Sequence, residues 1–172
     1  MVLNMKLFLP LYELFVGIIG FCLTWVINHF NLFTQYQNTC LLLSIILIII
    51  ALLSAFLLIR KRGFKNYCKS LNDTTSLRSF LYQQKNINDF TDKTKIDINQ
   101  NIYNTALHYT YIDYFPNHVE IWICIPKNAA AKAALDKNLK SAEEEIGSYT
   151  DGYIISPRKR KGSYYYYHGE RK

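Results

Sequence analysis

Residues 40–59, CLLLSIILIIIALLSAFLLI, form a run of 20 residues without a charge. No other feature limits the fold of this chain so tightly. A helix rises about 1.5 Å per residue, so such a run covers the roughly 30 Å hydrocarbon core of a bilayer. It bonds every backbone amide within itself, which is what allows a segment to cross lipid. Residues 7–27 offer a second candidate span, carrying Pro10 and Glu13 near its start. Pro10 is expected in the first turn, where a missing N–H does no harm. Glu13 is expected within about two turns of the end; a carboxylate there marks a polar partner or simply snorkels to the interface, the plainer reading. A cleaved signal peptide is the rival for this segment, but its basic flank is Lys6 alone and the bulky Asn28, His29 and Phe30 follow it.

Charge is distributed as unevenly as hydrophobicity. Of the 20 Lys and Arg residues only Lys6 precedes Arg60, and of the 13 Asp and Glu residues only Glu13 does. The formal net charge of +7 therefore belongs to the part after the spans. Residues 28–39 contain no Lys or Arg, whereas Arg60, Lys61, Arg62 and Lys65 crowd the exit of the second span. The positive-inside rule then places both termini in the cytoplasm and predicts a multi-pass protein of the cell membrane. Arg60, Lys61 and Arg62 read as an anchor beside anionic headgroups, worth about 1 kcal/mol per charge. The cysteines, Cys22, Cys40, Cys68 and Cys124, show no metal-ligand spacing and are expected to be buried, inert thiols, with Cys68 and Cys124 reduced on the cytoplasmic side.

Beyond the spans, residues 64–71 read as a juxtamembrane extension of the second helix. Asn72, Asp73, Thr74 and Thr75 supply capping chemistry for a short helix with Leu77, Phe80, Leu81 and Gln84 on one stripe. Residues 85–101 are polar and read as a linker or ordered loop. Residues 106–114 alternate as a strand, with Leu107, Tyr109, Tyr111 and Asp113 on one face. A turn at Phe115, Pro116, Asn117 and His118 leads to a second strand whose Val119, Ile121, Ile123 and Ile125 form a buried face. Asn128 caps a helix over 129–146, striped by Leu135, Leu139, Ala142 and Ile146, with Gly147 as its C-terminal stop. Residues 153–156 and 163–168 form a second hairpin around the basic connection Arg158, Lys159, Arg160 and Lys161.

The expected fold is thus a membrane-anchored α+β protein, a two-helix transmembrane hairpin followed by a small ββαββ-type cytoplasmic domain. Its parts are the hairpin at 1–62, a juxtamembrane helix and linker at 63–101, and the α+β domain at 102–172.

Residues that could carry chemistry are few. The sequence has no GxxxxGK[ST] phosphate loop and no GxSxG, HExxH or deaminase zinc pattern. His29, His108, His118 and His168 are each isolated. Glu143, Glu144 and Glu145 point about 100° apart on a helix, so they cannot converge on one metal and read as a solvated helix end. No enzyme activity and no cofactor are expected. Arg158, Lys159, Arg160 and Lys161, followed by four tyrosines, are the candidate nucleic-acid or acidic-surface site, because charge attracts phosphate and tyrosine faces stack on bases. Alternation allows about two tyrosines to share a face, and Tyr165 and Tyr167 are assigned that role. A solubilising turn, or a protein- or lipid-facing surface, explains the same residues.

The order of parts resembles a known family. A two-helix hairpin leads to a basic exit, a short helix, and a strand ending in Tyr114, Phe115 and Pro116. An apolar strand from Ile121 to an Ile125-Pro126 end follows, then an amphipathic helix, then Asp151, Gly152, Tyr153 and Ile154 before a Tyr-rich strand. This is similar to the region preceding the motor in FtsK/SpoIIIE-type coupling proteins of Gram-positive conjugative elements. The family's ATPase domain and its phosphate loop are absent from these residues, so no catalytic residue carries over. The resemblance implies an N-terminal fragment or a stand-alone relative that anchors and assembles at the membrane without pumping DNA.

Two functions follow as expectations. One is a non-catalytic, membrane-anchored assembly module of a DNA-transfer (conjugation) machine. The alternative is a small membrane effector or regulator, toxin-like or defensive, whose soluble domain senses a partner or ligand. The expected partners are membrane lipid, other membrane or secretion-machine proteins, DNA, and further copies of the chain.

Overall fold

The computed structural model describes residues 3–30, 34–82 and 98–172. They fall into two compact units, Met1–Phe64 and Lys65–Lys172. In the first, α1 (Leu3–Phe30) and α2 (Gln37–Arg62) pack side by side, with a short 3-10 turn at Thr34–Tyr36 leading into α2. Both helices are long and apolar enough to cross a membrane, over Leu7–Phe30 and Thr34–Arg62. Because α1 begins at Leu3, Pro10 lies inside the helix and not in its first turn.

Small side chains let the two backbones approach. A Cβ on Gly20 would stand 2.2 Å from Ser44 Oγ, and one on Gly17 would stand 2.7 Å from Ile48 Cγ1. Glu13 Oε2 accepts a hydrogen bond from Ser54 Oγ at 2.8 Å, so the carboxylate has a partner across the pair, and the snorkelling expectation gives way to it. These three contacts step in opposite directions along the helices, which therefore run antiparallel. Pro10, Glu13, Gly17, Gly20 and Thr24 alternate spacings of three and four, the seam of closely packed helices. Large apolar residues point away from the seam: Phe15, Trp25, Leu52 and Leu57 are all exposed. Small residues thus line the contact between the helices and large apolar residues its outside.

At Gly63 the backbone turns into the left-handed region (φ 85°), which glycine reaches without a Cβ clash. The second helix therefore stops at Arg62 and does not extend through 64–71 as expected. A separate helix, α3 (Phe64–Leu81), begins at Phe64 and runs without a break through Asn72–Thr75. Those residues are not caps. Asp73 and Thr74 are buried mid-helix because their partners lie on the sheet beside them. Leu77 and Leu81 are core residues, whereas Phe80 is exposed. Gln84 and residues 85–97 of the expected linker lie outside the described residues.

The rest of the second unit is α4 (Ile98–Leu107), β1 (Tyr111–Tyr114), β2 (His118–Cys124), α5 (Ala129–Tyr149), β3 (Tyr153–Ile155), β4 (Lys159–Lys161) and β5 (Tyr164–Arg171). Of the strand expected over 106–114, only Tyr111–Tyr114 is strand; Ala106 and Leu107 end α4 and residues 108–110 form a turn. Tyr103, Ala106 and Leu107 share one buried helical face, and two turn hydrogen bonds then release the chain into β1. Every strand pairing is antiparallel, in the order β1-β2-β5-β3, with β4 on the same side of β5 as β3. The basic segment expected as a connection is thus itself a strand, and β3 and β4 form one interrupted edge.

On the core face Val119, Ile121 and Ile123 are fully buried under Leu135, Leu139, Ala142 and Ile146 of α5. The Asn128 side chain caps α5 by accepting from the Ala130 amide at 2.8 Å. The helix passes through Gly147 and ends at Tyr149, where the Thr150 hydroxyl and amide both reach the Ile146 carbonyl.

The outer edge of β1 is sealed by side chains. Thr74 Oγ1 accepts from the Ile112 amide at 2.9 Å and donates to the Ile112 carbonyl at 3.1 Å. Ser70 Oγ accepts from the Tyr114 amide at 2.9 Å, and Arg78 Nε donates to the Thr110 carbonyl at 2.8 Å. One side of α3 stands where another strand would, and so removes an edge open to foreign pairing. Tyr114 donates to Asp73 Oδ2 at 2.8 Å beneath it.

Candidate nucleic-acid interface

β4 and β5 are joined by a two-residue turn at Gly162 and Ser163. Their register pairs Lys159 with Tyr166, Arg160 with Tyr165 and Lys161 with Tyr164. Directly paired residues share a face, so the alternation divides the basic strand. Arg160 points to the side that α5 covers. Lys159 and Lys161 point to the other. All three cations of β4 are exposed.

Tyr165 and Tyr167 lie under α5 and are buried, so they form no stacking platform for bases. Tyr165 donates to Asp136 Oδ1 and Tyr167 to Glu143 Oε1, each at 2.7 Å. Burial first, and then these carboxylates, push both phenols up, Tyr167 well above the ordinary range. Burial and Glu145 likewise push Tyr149 up to about 12. Two of the three consecutive glutamates, Glu143 and Glu145, therefore anchor tyrosine hydroxyls, which a merely solvated helix end would not do. Arg158 is drawn in the same direction, 3.9 Å from Glu143 Oε1 and over the Tyr165 ring at 4.8 Å. Its charge is partly spent on α5.

The opposite face gathers residues that the sequence reading passed over. Trp122 of β2 pairs with Tyr166 of β5, and Cys124 with Tyr164. The Trp122 ring lies 4.5 Å from Tyr166 and 5.9 Å, edge-on, from Tyr164. Lys161 Nζ rests 3.4 Å from the Tyr166 centroid and 5.4 Å from that of Trp122. Glu120 accepts from Trp122 Nε1 at 3.2 Å and from the Tyr166 hydroxyl at 3.3 Å, and so fixes both rings. Farther along, His118 and His168, isolated in sequence, come together with ring centroids 5.4 Å apart. The signal that could have found this patch was the alternation of β2. With its odd positions buried, Trp122 is placed on the face opposite the core, and the observed register sets Tyr164 and Tyr166 beside it.

The other singled-out residues lie elsewhere. Arg60 and Lys61 are exposed at the end of α2, but Arg62 is buried, so only two of the three expected anchors reach out from that turn. Contrary to the expectation of buried thiols, Cys22 and Cys68 are exposed and Cys40 and Cys124 half-buried; burial pushes the Cys124 thiol up, which keeps it unreactive. Between α3 and α4 lies a shallow cleft of about 300 Å³ bordered by Tyr82, Asn104 and His108. Its Arg78 is committed to the β1 edge.

The chain matches no protein-family model, no curated protein and no solved structure.

Proposed function

We propose that this protein is a membrane-tethered, non-catalytic assembly module that meets nucleic acid through its cationic edge strand, within a DNA-transfer machine of the type its order of parts resembles. The observation that carries the reading is β4, where Lys159, Arg160 and Lys161 are all exposed on a strand paired to β5. The tether is supported by the inside-out packing of α1 and α2, whose exposed surface is apolar. In water that surface would cost about 25 cal/mol for each Å² left uncovered.

The cytoplasmic placement of the soluble unit follows from the charge asymmetry around the helices. A cysteine introduced as Gln35→Cys should react with a membrane-impermeant maleimide on intact cells, while Cys68, exposed on α3, should react only after lysis. Labelling of Cys68 in intact cells would overturn the orientation.

Nucleic-acid binding is tested by salt. Each neutralised phosphate releases condensed counterions, and Arg158 is already engaged by Glu143. Three contacts therefore give a slope of about −2 to −3 in log affinity against log salt, at ~0.7–0.9 per phosphate. The full chain in neutral detergent micelles should show this slope. Replacing Lys159, Arg160 and Lys161 by Gln should flatten it by a similar amount without altering the melting transition, because β4 is held by backbone pairing. Equal binding by the Gln variant would remove the strand from any role in DNA contact.

A further inference from the structure

Resting on that reading of β4, we propose that the sheet face opposite α5 is a binding site for single-stranded nucleic acid, with bases stacking on Trp122 and Tyr164 and phosphates tracking Lys159 and Lys161. Four observations lead there. Trp122 and Tyr164 are half-buried, side by side, and their rings are oriented by neighbours before any ligand arrives. Lys159 and Lys161 border them on the same face, two residues apart, so their Cα atoms are about 7 Å apart along the strand. That is of the order of one phosphate step in an extended single strand. Lys161 Nζ already covers the Tyr166 ring at 3.4 Å. The Tyr166 ring is itself buried beneath this contact, but Lys161 is exposed, so its ammonium can swing to a phosphate while bases stack on the half-buried Trp122 and Tyr164.

The placement of acidic groups decides between ligands. Glu120 lies inside the patch and Glu170 near its end, on the same face. An anionic bilayer pressed against the face would meet both carboxylates. A single strand keeps its phosphates along β4, which β5 separates from Glu120 on β2, and lays only bases over the rings. A duplex hides its base faces, so it can use the lysines but not the rings.

The test uses the full chain with Trp25→Phe, which leaves Trp122 as the sole tryptophan, in neutral detergent micelles. The probe is a thymidine oligomer of about a dozen nucleotides, within the usual range of single-strand site sizes. Trp122 fluorescence should be quenched saturably and in step with binding. Tyr164→Leu should weaken the single strand about tenfold or more and a duplex far less. Lys161→Gln should lower the salt slope by about 0.7, one single-strand phosphate contact, with the melting transition unchanged.

Salt-dependent binding that leaves Trp122 unquenched would overturn the stacking site while sparing the proposed role of β4. Equal losses for single strand and duplex would do the same. Quenching by phosphatidylglycerol vesicles but not by the oligomer would assign the face to lipid and overturn it. Absence of any nucleic-acid binding at low salt would overturn both readings together.

Discussion

Leu139→Asp should abolish the cooperative unfolding of the Lys65–Lys172 unit. Leu139 is 1% exposed, in the middle of the α5 stripe, packed with Ile121 and Ile123 of the sheet. The substitution removes a buried leucine, worth about 1.5–3 kcal/mol of apolar transfer. It also places a carboxylate where desolvation costs several kcal/mol more unless it is protonated. The sum is comparable with the whole stability of an ordinary domain, about 5–15 kcal/mol. Trp122 fluorescence of the full chain, in the Trp25→Phe background, should lose its melting transition or show it lowered by more than about 20 °C. Lys140→Asp, one residue on and exposed, is the control and should leave the transition nearly in place. An unshifted curve for Leu139→Asp would mean that α5 does not cover the sheet.

Thr74→Val should have the next largest effect, although the two side chains have the same shape. The Thr74 hydroxyl is fully buried and serves both the amide and the carbonyl of Ile112. Valine leaves both groups facing a methyl, and each unsatisfied buried group costs about 1–3 kcal/mol. A loss of roughly 2–4 kcal/mol, or about 10–20 °C in melting temperature, is expected. Thr75→Val on the same helix changes an exposed hydroxyl that bonds only to the Leu71 carbonyl and should be close to neutral. The defective edge should also promote association, because β1 would then present unpaired backbone to another chain. If the Thr74 and Thr75 variants melted together, the side-chain seal on β1 would contribute nothing.

The seal also shows where local sequence chemistry misleads. Asn72, Asp73, Thr74 and Thr75 carry the hydrogen-bonding groups of a helix start, and nothing within a few residues says otherwise. In the folded unit two of them, Asp73 and Thr74, serve partners at Tyr114 and Ile112, about 40 residues away in sequence. Asp73 takes the Tyr114 hydroxyl while Thr74 takes the β1 backbone, and the helix runs through them without interruption. The tyrosine run failed as a guide for the same reason. Tyr164, Tyr165, Tyr166 and Tyr167 are chemically equivalent in sequence, and only the position of α5 makes two of them core residues and leaves two on the opposite face.

What the sequence determined by itself was whatever depends on short-range periodicity or on bulk transfer energy. The two apolar helices are legible because long apolar runs, 40–59 without a charge and 7–27 with Glu13 alone, have few other stable solutions. The buried face of β2 and the stripe of α5 are legible because their periods, two and 3.6, show within single segments. The concentration of positive charge after the two apolar helices needs no structure at all. Tertiary structure decided the rest: the pairing of Glu13 with Ser54, the use of α3 as a false edge strand, the conversion of the basic connection into β4, and the exchange of Tyr165 and Tyr167 for Trp122 and Tyr164 as the available aromatic surface. Each of these is set by register between segments distant in sequence, and a one-residue change of register would send every side chain of a strand to the opposite face.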